Sequence, residues 1–314
     1  MSATERSVVT AAVIGAPNAG KSTLVNRLVG AKISIVTHKV QTTRMPVRGV
    51  ALHGAVQIIL VDTPGVFQPR RRLDRAMVHA AWTHAADADV VVHLVDAAAQ
   101  ARVHGKGASG ADHAAAEDVE RILTGLRRTG RPALLVLNKV DAMPRPSLLQ
   151  VAASLFDSGC YSEVFMISAL GGDGVEVLRD AIARGATPGP WLYPEDQIAD
   201  APLRTLAAEI TREALMLRLH EEIPYAATVE TEQFEERADG SVRIEQTIFV
   251  ERESQRRIAI GAKAATLKAI GQAARAELFT LLERPVHLFL HVKVREGWAE
   301  ERARLTALGL QDQG

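Results

Sequence analysis

The chain has 314 residues, 37 Lys plus Arg balanced by 37 Asp plus Glu, 47% hydrophobic residues and one cysteine. These proportions exclude a disordered chain, and a lone thiol argues against a disulfide-stapled secreted protein and for a reducing, cytoplasmic compartment. The length suits two domains of about 100–200 residues, and no window approaches about 18 uninterrupted apolar residues, so no membrane-spanning helix is expected. The first residues run straight into a glycine motif and do not read as a targeting peptide.

In chain order, β-branched apolar runs at 8–15, 47–52, 56–62, 89–96, 132–138 and 163–168 alternate with longer amphipathic stretches. That rhythm predicts an α/β domain over residues 1–185, a mostly parallel six-stranded sheet with crossover helices. One stretch, 97–116, is nearly all Ala, Gly, Ser, His and Gln, and is expected to be a mobile surface loop. Residues 185–202 crowd four prolines and two glycines, which places a linker at 186–202. Over 203–314 the order becomes helix, two strands, helices, a strand and a final helix, a separate α+β domain. Six basic residues against one acid lie between 252 and 275, while 221–245 hold eight acids against two arginines. Such blocks suit a cationic patch for a polyanion, or solvated helix faces.

Gly15-Ala16-Pro17-Asn18-Ala19-Gly20-Lys21-Ser22 fits the phosphate-loop pattern GxxxxGK[ST], after a predicted strand and before a helix beginning at Thr23. Its glycines let successive N–H groups face phosphate oxygens, Lys21 reaches the terminal phosphates, and Ser22 is a Mg²⁺ ligand. Asp62-Thr63-Pro64-Gly65 closes the third predicted strand, so Asp62 can support Mg²⁺ through water and the Gly65 N–H can meet a γ-phosphate. Asn138-Lys139-Val140-Asp141 ends the fifth. Asp141 can accept from both donors on the N1 and N2 edge of guanine, which adenine lacks; Asn138 buttresses the loop, and the Lys139 stem packs on the purine. Ser168-Ala169-Leu170 ends the sixth, with the Ala169 N–H offered to guanine O6. Four loops at carboxyl strand ends point to one guanine-nucleotide site; a phosphate-loop ATPase is the alternative that GTP-over-ATP competition decides.

The set GAPNAGKST, QTTR (41–44), DTPG, NKVD and SAL, with WLYPEDQIAD in the linker, EEIPY at 221–225 and VERESQRRIAIGAKAATLKAIGQAAR at 250–275, resembles the Era family of bacterial GTPases. The resemblance implies a KH domain in the second half and a GTPase that binds the 3′ end of 16S ribosomal RNA and assists maturation of the small ribosomal subunit. Loose peripheral contact with the inner face of the cell membrane is also implied. By motif, Thr42 and Thr43 fall in the first switch, with Thr43 favoured for Mg²⁺ and, with Lys21 and Gly65, for catalysis. Val66 stands where many GTPases carry a water-orienting glutamine, and Asn18 is then a candidate K⁺ ligand. Arg256, Arg257, Gly261, Lys263 and Lys268 are the candidate RNA contacts. Two features depart from the family pattern. Ala264 replaces the second glycine of GxxG, which leaves open a second domain used for protein or membrane docking, and the 97–116 stretch is longer than expected.

Overall fold

The computed structural model describes residues 6–301, 306 and 310, except 38, 40, 41, 106, 201 and 220–222. Gln41 of QTTR, Glu221 and Glu222 of EEIPY and most of the expected last helix therefore lie outside the described residues. Two compact units emerge, one from Met1–Ser34, Thr43–Asp200 and Leu308–Gly314, the other from Ile35–Thr42 and Ala201–Ala307.

The first unit runs β1 (Ser7–Gly15), α1 (Lys21–Val29), β2 (Val47–His53), β3 (Val56–Asp62), α2 (Arg72–Asp87), β4 (Val90–Asp96), α3 (Ala97–His104), α4 (Gly110–Thr129), β5 (Ala133–Asn138), α5 (Arg145–Phe156), β6 (Tyr161–Met166), α6 (Val175–Ala183), β7 (Thr187–Pro188) and β8 (Ala199–Asp200). Its sheet has the order β6-β5-β4-β1-β3-β2-β8, with β7 against β1. The period of two along β1 explains why this strand is central. Val9, Ala11 and Val13 enter one core with Leu24 and Leu28 of α1 and Leu178 and Ile182 of α6. Ala12 and Ile14 enter the other with Ala81, Ile122, Leu126 and Val151. A strand buried on both faces needs apolar residues at every position. Parallel pairs on either side of β1, with β3 and β4, make its carboxyl end the point where the strand order reverses.

The six expected strands are present, and the proline-rich linker adds two more. Thr187 and Pro188 pair antiparallel with Val8 and Ser7, and Ala199 and Asp200 pair with Gly49 and Arg48. Between them Gln57 holds the chain, accepting from the Leu192 and Tyr193 N–H groups and donating to the Tyr193 carbonyl. The expected loop at 97–116 is mostly helical. Asp96 caps α3 by accepting from the Ala99 N–H, and Ala97, Ala98, Ala99 and Gln100 are buried. Alanine loses no side-chain entropy on folding and is the strongest helix former, so small residues suffice where the neighbours come close. Arg102 then grips Asp112 of α4 through Nε at 3.1 Å and Nη2 at 2.6 Å.

The second unit holds α7 (Leu203–Arg218), β9 (Ala227–Glu236), β10 (Val242–Val250), α8 (Glu253–Ile260), α9 (Ala265–Leu282) and β11 (Val286–Val294). The sheet order is β11-β10-β9, antiparallel between β9 and β10 and parallel between β10 and β11. Ile244, Ile248, Val250, Leu288 and Val292 face Leu206, Ile210, Ile270, Ala274 and Leu278. Trp298 seals one end, donating from Nε1 to the Ala226 carbonyl at 2.9 Å. Residues 35–42, sequence neighbours of the phosphate loop, belong to this unit. The Val36 N–H donates to Glu213 at 2.8 Å, the Lys39 ammonium donates to the Met216 and Leu219 carbonyls, and Arg212 donates to the Thr42 carbonyl.

Candidate functional site

The loop from Gly15 to Ser22 wraps the carboxyl end of β1. Gly20 has φ +100°, and a side chain there would strike Asn138 Nδ2, so only glycine fits. Within the loop Ala16 and Ala19 are buried, Pro17 is half-buried and Asn18 is exposed at φ 61°, and Thr23 lies in the first turn of α1. Lys21 folds over the loop, donating to the Gly15 and Ala16 carbonyls at 3.1 and 2.9 Å. Burial pushes its ammonium down to about 8, with the Asp62 carboxylate opposing the shift.

Next to Lys21, Ser22 Oγ lies 2.9 Å from Thr43 Oγ1, and Thr43 Oγ1 is 3.5 Å from Asp62 Oδ2. Asp62 is fully buried, burial raises its carboxyl above the usual range, and its Oδ1 has no partner among the described residues. Two hydroxyls and an underused buried carboxylate form an all-oxygen set suited to a hard cation such as Mg²⁺. Thr42, also expected at the metal, is not part of it. Its hydroxyl lies 2.7 Å from the Lys39 carbonyl and 2.7 Å from Thr37 Oγ1.

Gly65 lies against Pro17, and the next N–H, of Val66, donates to the Gly15 carbonyl at 3.0 Å. Val66 itself is buried, so the side chain after the DTPG motif contributes packing and no proton chemistry. The Arg121 guanidinium of α4 donates to Gln68 Oε1 at 3.1 Å and to Asp118 at 3.1 Å. Burial raises the Asp118 carboxyl to about 6 against the pull of Arg121.

Asn138 joins three loops. Its Nδ2 donates to the Ala19 carbonyl at 2.8 Å and its Oδ1 accepts from the Ala169 N–H at 2.9 Å. That N–H, expected to face guanine O6, is therefore taken by Asn138, whose amide is oriented by the phosphate loop. Ser168 Oγ accepts from the Gly171 N–H at 3.0 Å, and Arg27 of α1 donates to the Ala169 and Leu170 carbonyls, leaving the Leu170 side chain exposed. Lys139 adopts φ 65° and starts a short 3-10 turn (Val140–Ala142) on which Asp141 is exposed to solvent. Sequence reasoning missed Asp96, Asp118, Arg121 and the hold of α7 on residues 35–42; the acid ending β4 was the one signal in plain view.

In the second unit the run Gly261-Ala262-Lys263-Ala264 joins α8 to α9 with positive φ at three positions, 73°, 50° and 61° for Gly261, Lys263 and Ala264. Arg257, Lys263 and Lys268 are exposed around it. Arg256, also expected at the RNA, donates to the Val292 carbonyl at 3.2 Å and to Glu253 at 2.9 Å, tying α8 to β11, while its side chain stays 42% exposed.

A mostly parallel sheet with a phosphate loop, an oxygen-lined cation position and the NKVD motif at its carboxyl edge, followed by a KH unit, defines a phosphate-loop GTPase carrying a KH domain. Residues 10–139 match the family model described as 50S ribosome-binding GTPase, and residues 222–299 match the KH domain. GTPase Era of Caulobacter vibrioides is 62% identical over 300 residues, spanning 96% of this chain and 95% of that protein. GTPase Era of Rhizobium meliloti strain 1021 is 56% identical across 95% and 91%. Among solved structures, Era in complex with MgGDPNP and nucleotides 1506–1542 of 16S ribosomal RNA superposes with a TM-score of 0.87 at 35% identity, over 97% of this chain and 99% of that one. A variant of Aquifex aeolicus Era bound to GDP and AlF4⁻ gives 0.86 at 35%, over 96% and 99%. The chain belongs to the Era family of GTPases.

Proposed function

We propose that this chain is a Mg²⁺-dependent GTP switch whose KH domain engages the 3′ end of 16S ribosomal RNA and assists assembly of the small ribosomal subunit. The approach of Ser22, Thr43 and Asp62 beside Lys21 is the observation that carries the nucleotide half. The loop amides and the Lys21 ammonium bind the terminal phosphates, and Ser22, Thr43 and Asp62 hold Mg²⁺, which supplies charge neutralisation during phosphoryl transfer. The Gly65 N–H faces the γ-phosphate, Asn138, Ser168, Ala169 and Leu170 frame the base pocket, Lys139 packs on the purine and Asp141 selects guanine. Val66 cannot orient water; Asn18 would help to hold K⁺, which would supply extra positive charge near the phosphates. Equal turnover in KCl and NaCl removes that step.

Support for the RNA half comes from the exposed Arg257, Lys263 and Lys268 around Gly261 and from the RNA-bound relative. Binding to a single-stranded oligonucleotide matching the 16S 3′ end tests it. Three phosphate contacts should give a log–log salt slope near −2, at about −0.7 per contact. A cytoplasmic protein with peripheral membrane contact belongs to the same reading; among the described residues no helix is long and apolar enough to cross a membrane. The left-handed Ala264 favours one second reading, a KH fold kept for protein or membrane docking. No oligonucleotide binding at low salt, with pelleting on anionic vesicles, selects it.

A further inference from the structure

Helix α3, in the stretch expected to be a loop, opens on Asp96 at the end of β4, which stands beside Asn138 in the β4–β5 ladder. The Asp96 carboxylate has two partners. Oδ1 accepts from the Ala99 N–H at 3.0 Å, the N-cap of α3, and Oδ2 accepts from the Lys139 ammonium at 2.6 Å. The carboxylate is only 17% exposed, against 39% for Lys139, so the pair sits where water screens it less than on an open surface. A lysine stem otherwise samples many rotamers, and each must be given up when it packs on a flat ring. Tethering the ammonium removes most of that loss before the ring arrives. The tether is itself firm: α3 is capped at one end and clipped to α4 by the Arg102–Asp112 pair near the other.

We propose that Asp96 is a positioning residue for the guanine nucleotide, fixing the Lys139 ammonium so that the lysine stem is already laid out for the purine face, with α3 holding the carboxylate in place. The proposal rests on the reading of Lys139 as the residue that packs on the base. It gives α3 a role in affinity, acting through Lys139 and without touching the nucleotide.

Measure GDP affinity of the full chain with Mg²⁺ for wild type, Asp96→Asn, Lys139→Ala and the double variant, with melting temperatures alongside. Asparagine caps a helix as well as aspartate, so Asp96→Asn keeps α3 while removing the charge and the acceptor that faces Lys139; Asp96→Ser, also a strong cap, serves if the first variant misfolds. Asp96→Asn should raise the Kd for GDP roughly three- to tenfold, Lys139→Ala should raise it too, and adding Asp96→Asn to Lys139→Ala should change nothing more. An equal loss in both backgrounds makes Asp96 a structural cap and overturns the proposal. Unchanged affinity in Asp96→Asn with loss in Lys139→Ala overturns it alone, and unchanged affinity in Lys139→Ala overturns it by removing the base-packing reading beneath it.

Discussion

Thr43 Oγ1 lies 2.9 Å from Ser22 Oγ, although 21 positions separate the two residues in the chain. The pair separates Thr43, favoured for Mg²⁺ from the family resemblance, from its neighbour Thr42, whose hydroxyl lies against Thr37 and the Lys39 carbonyl. Thr43→Ala should lower GTP turnover by on the order of ten- to a hundredfold and raise the Mg²⁺ needed for half-maximal rate, whereas Thr42→Ala should stay near wild type. Magnesium titrations of the two variants decide the assignment. Similar defects in both would reject it.

In the proposed function, base choice depends on Asp141. Replacing it with Asn keeps the shape but exchanges a carboxylate that accepts two hydrogen bonds for an amide with one acceptor. Two charge-assisted bonds are weakened at a cost of about 3 kcal/mol, so GDP affinity should fall on the order of a hundredfold and the margin over ADP should shrink. Competition of the two diphosphates for the variant reads this directly.

The low Lys21 value has a signed consequence. Burial pushes the Lys21 ammonium from 10.5 down to about 8, so the folded state binds fewer protons than the unfolded state between those values and its stability from this group rises with pH. Bound phosphates favour the charged form, so nucleotide binding at pH 8.5 should be accompanied by proton uptake, and affinity should weaken as pH climbs from 8 to 10. Calorimetry in two buffers of different ionisation enthalpy measures the uptake. A value of zero would contradict the buried, phosphate-facing placement.

Ala264 sits at φ 61° in the loop between α8 and α9, where a Cβ costs about 1–2 kcal/mol and glycine costs none of it. Part of the gain is lost to the wider freedom of glycine in the unfolded chain. Ala264→Gly should therefore stabilise the protein by about 0.5–1 kcal/mol, read as a higher denaturant midpoint. If the loop also carries RNA phosphates, oligonucleotide affinity should rise in the same variant.

Arg212, buried and paired with Glu209 through Nε at 2.8 Å, also donates to the Thr42 carbonyl. Arg212→Ala leaves an acid and a carbonyl without their donor and should cost about 2 kcal/mol of stability. Because Thr43 is the next residue, the variant should also need more Mg²⁺ for half-maximal turnover while GDP affinity holds. An unchanged magnesium curve would mean that the grip on residues 35–42 is structural only.

What could be read from sequence follows from the range of each interaction. The six strands were legible because both-face burial writes continuous apolar runs, and the nucleotide loops were legible because each ends such a run. β7 and β8 were not, since two residues carry no period and their pairing is decided by Gly49 and Val8 far back in the chain. Helix α3 departs from the expected loop because alanine propensity and the cap at Asp96 give order without large apolar groups. The bond from Arg256 to the Val292 carbonyl and the hold of Arg212 on Thr42 depend on partners 36 and 170 positions away, which no local pattern announces.

One side-chain amide, that of Asn138, is shared by the loop at the phosphate end of the pocket and the loop at its base end. The two ends consequently cannot loosen one at a time. A fragment that fills either end should bind more tightly once the other is filled, so guanosine and inorganic pyrophosphate offered together should show positive cooperativity that Asn138→Ala abolishes.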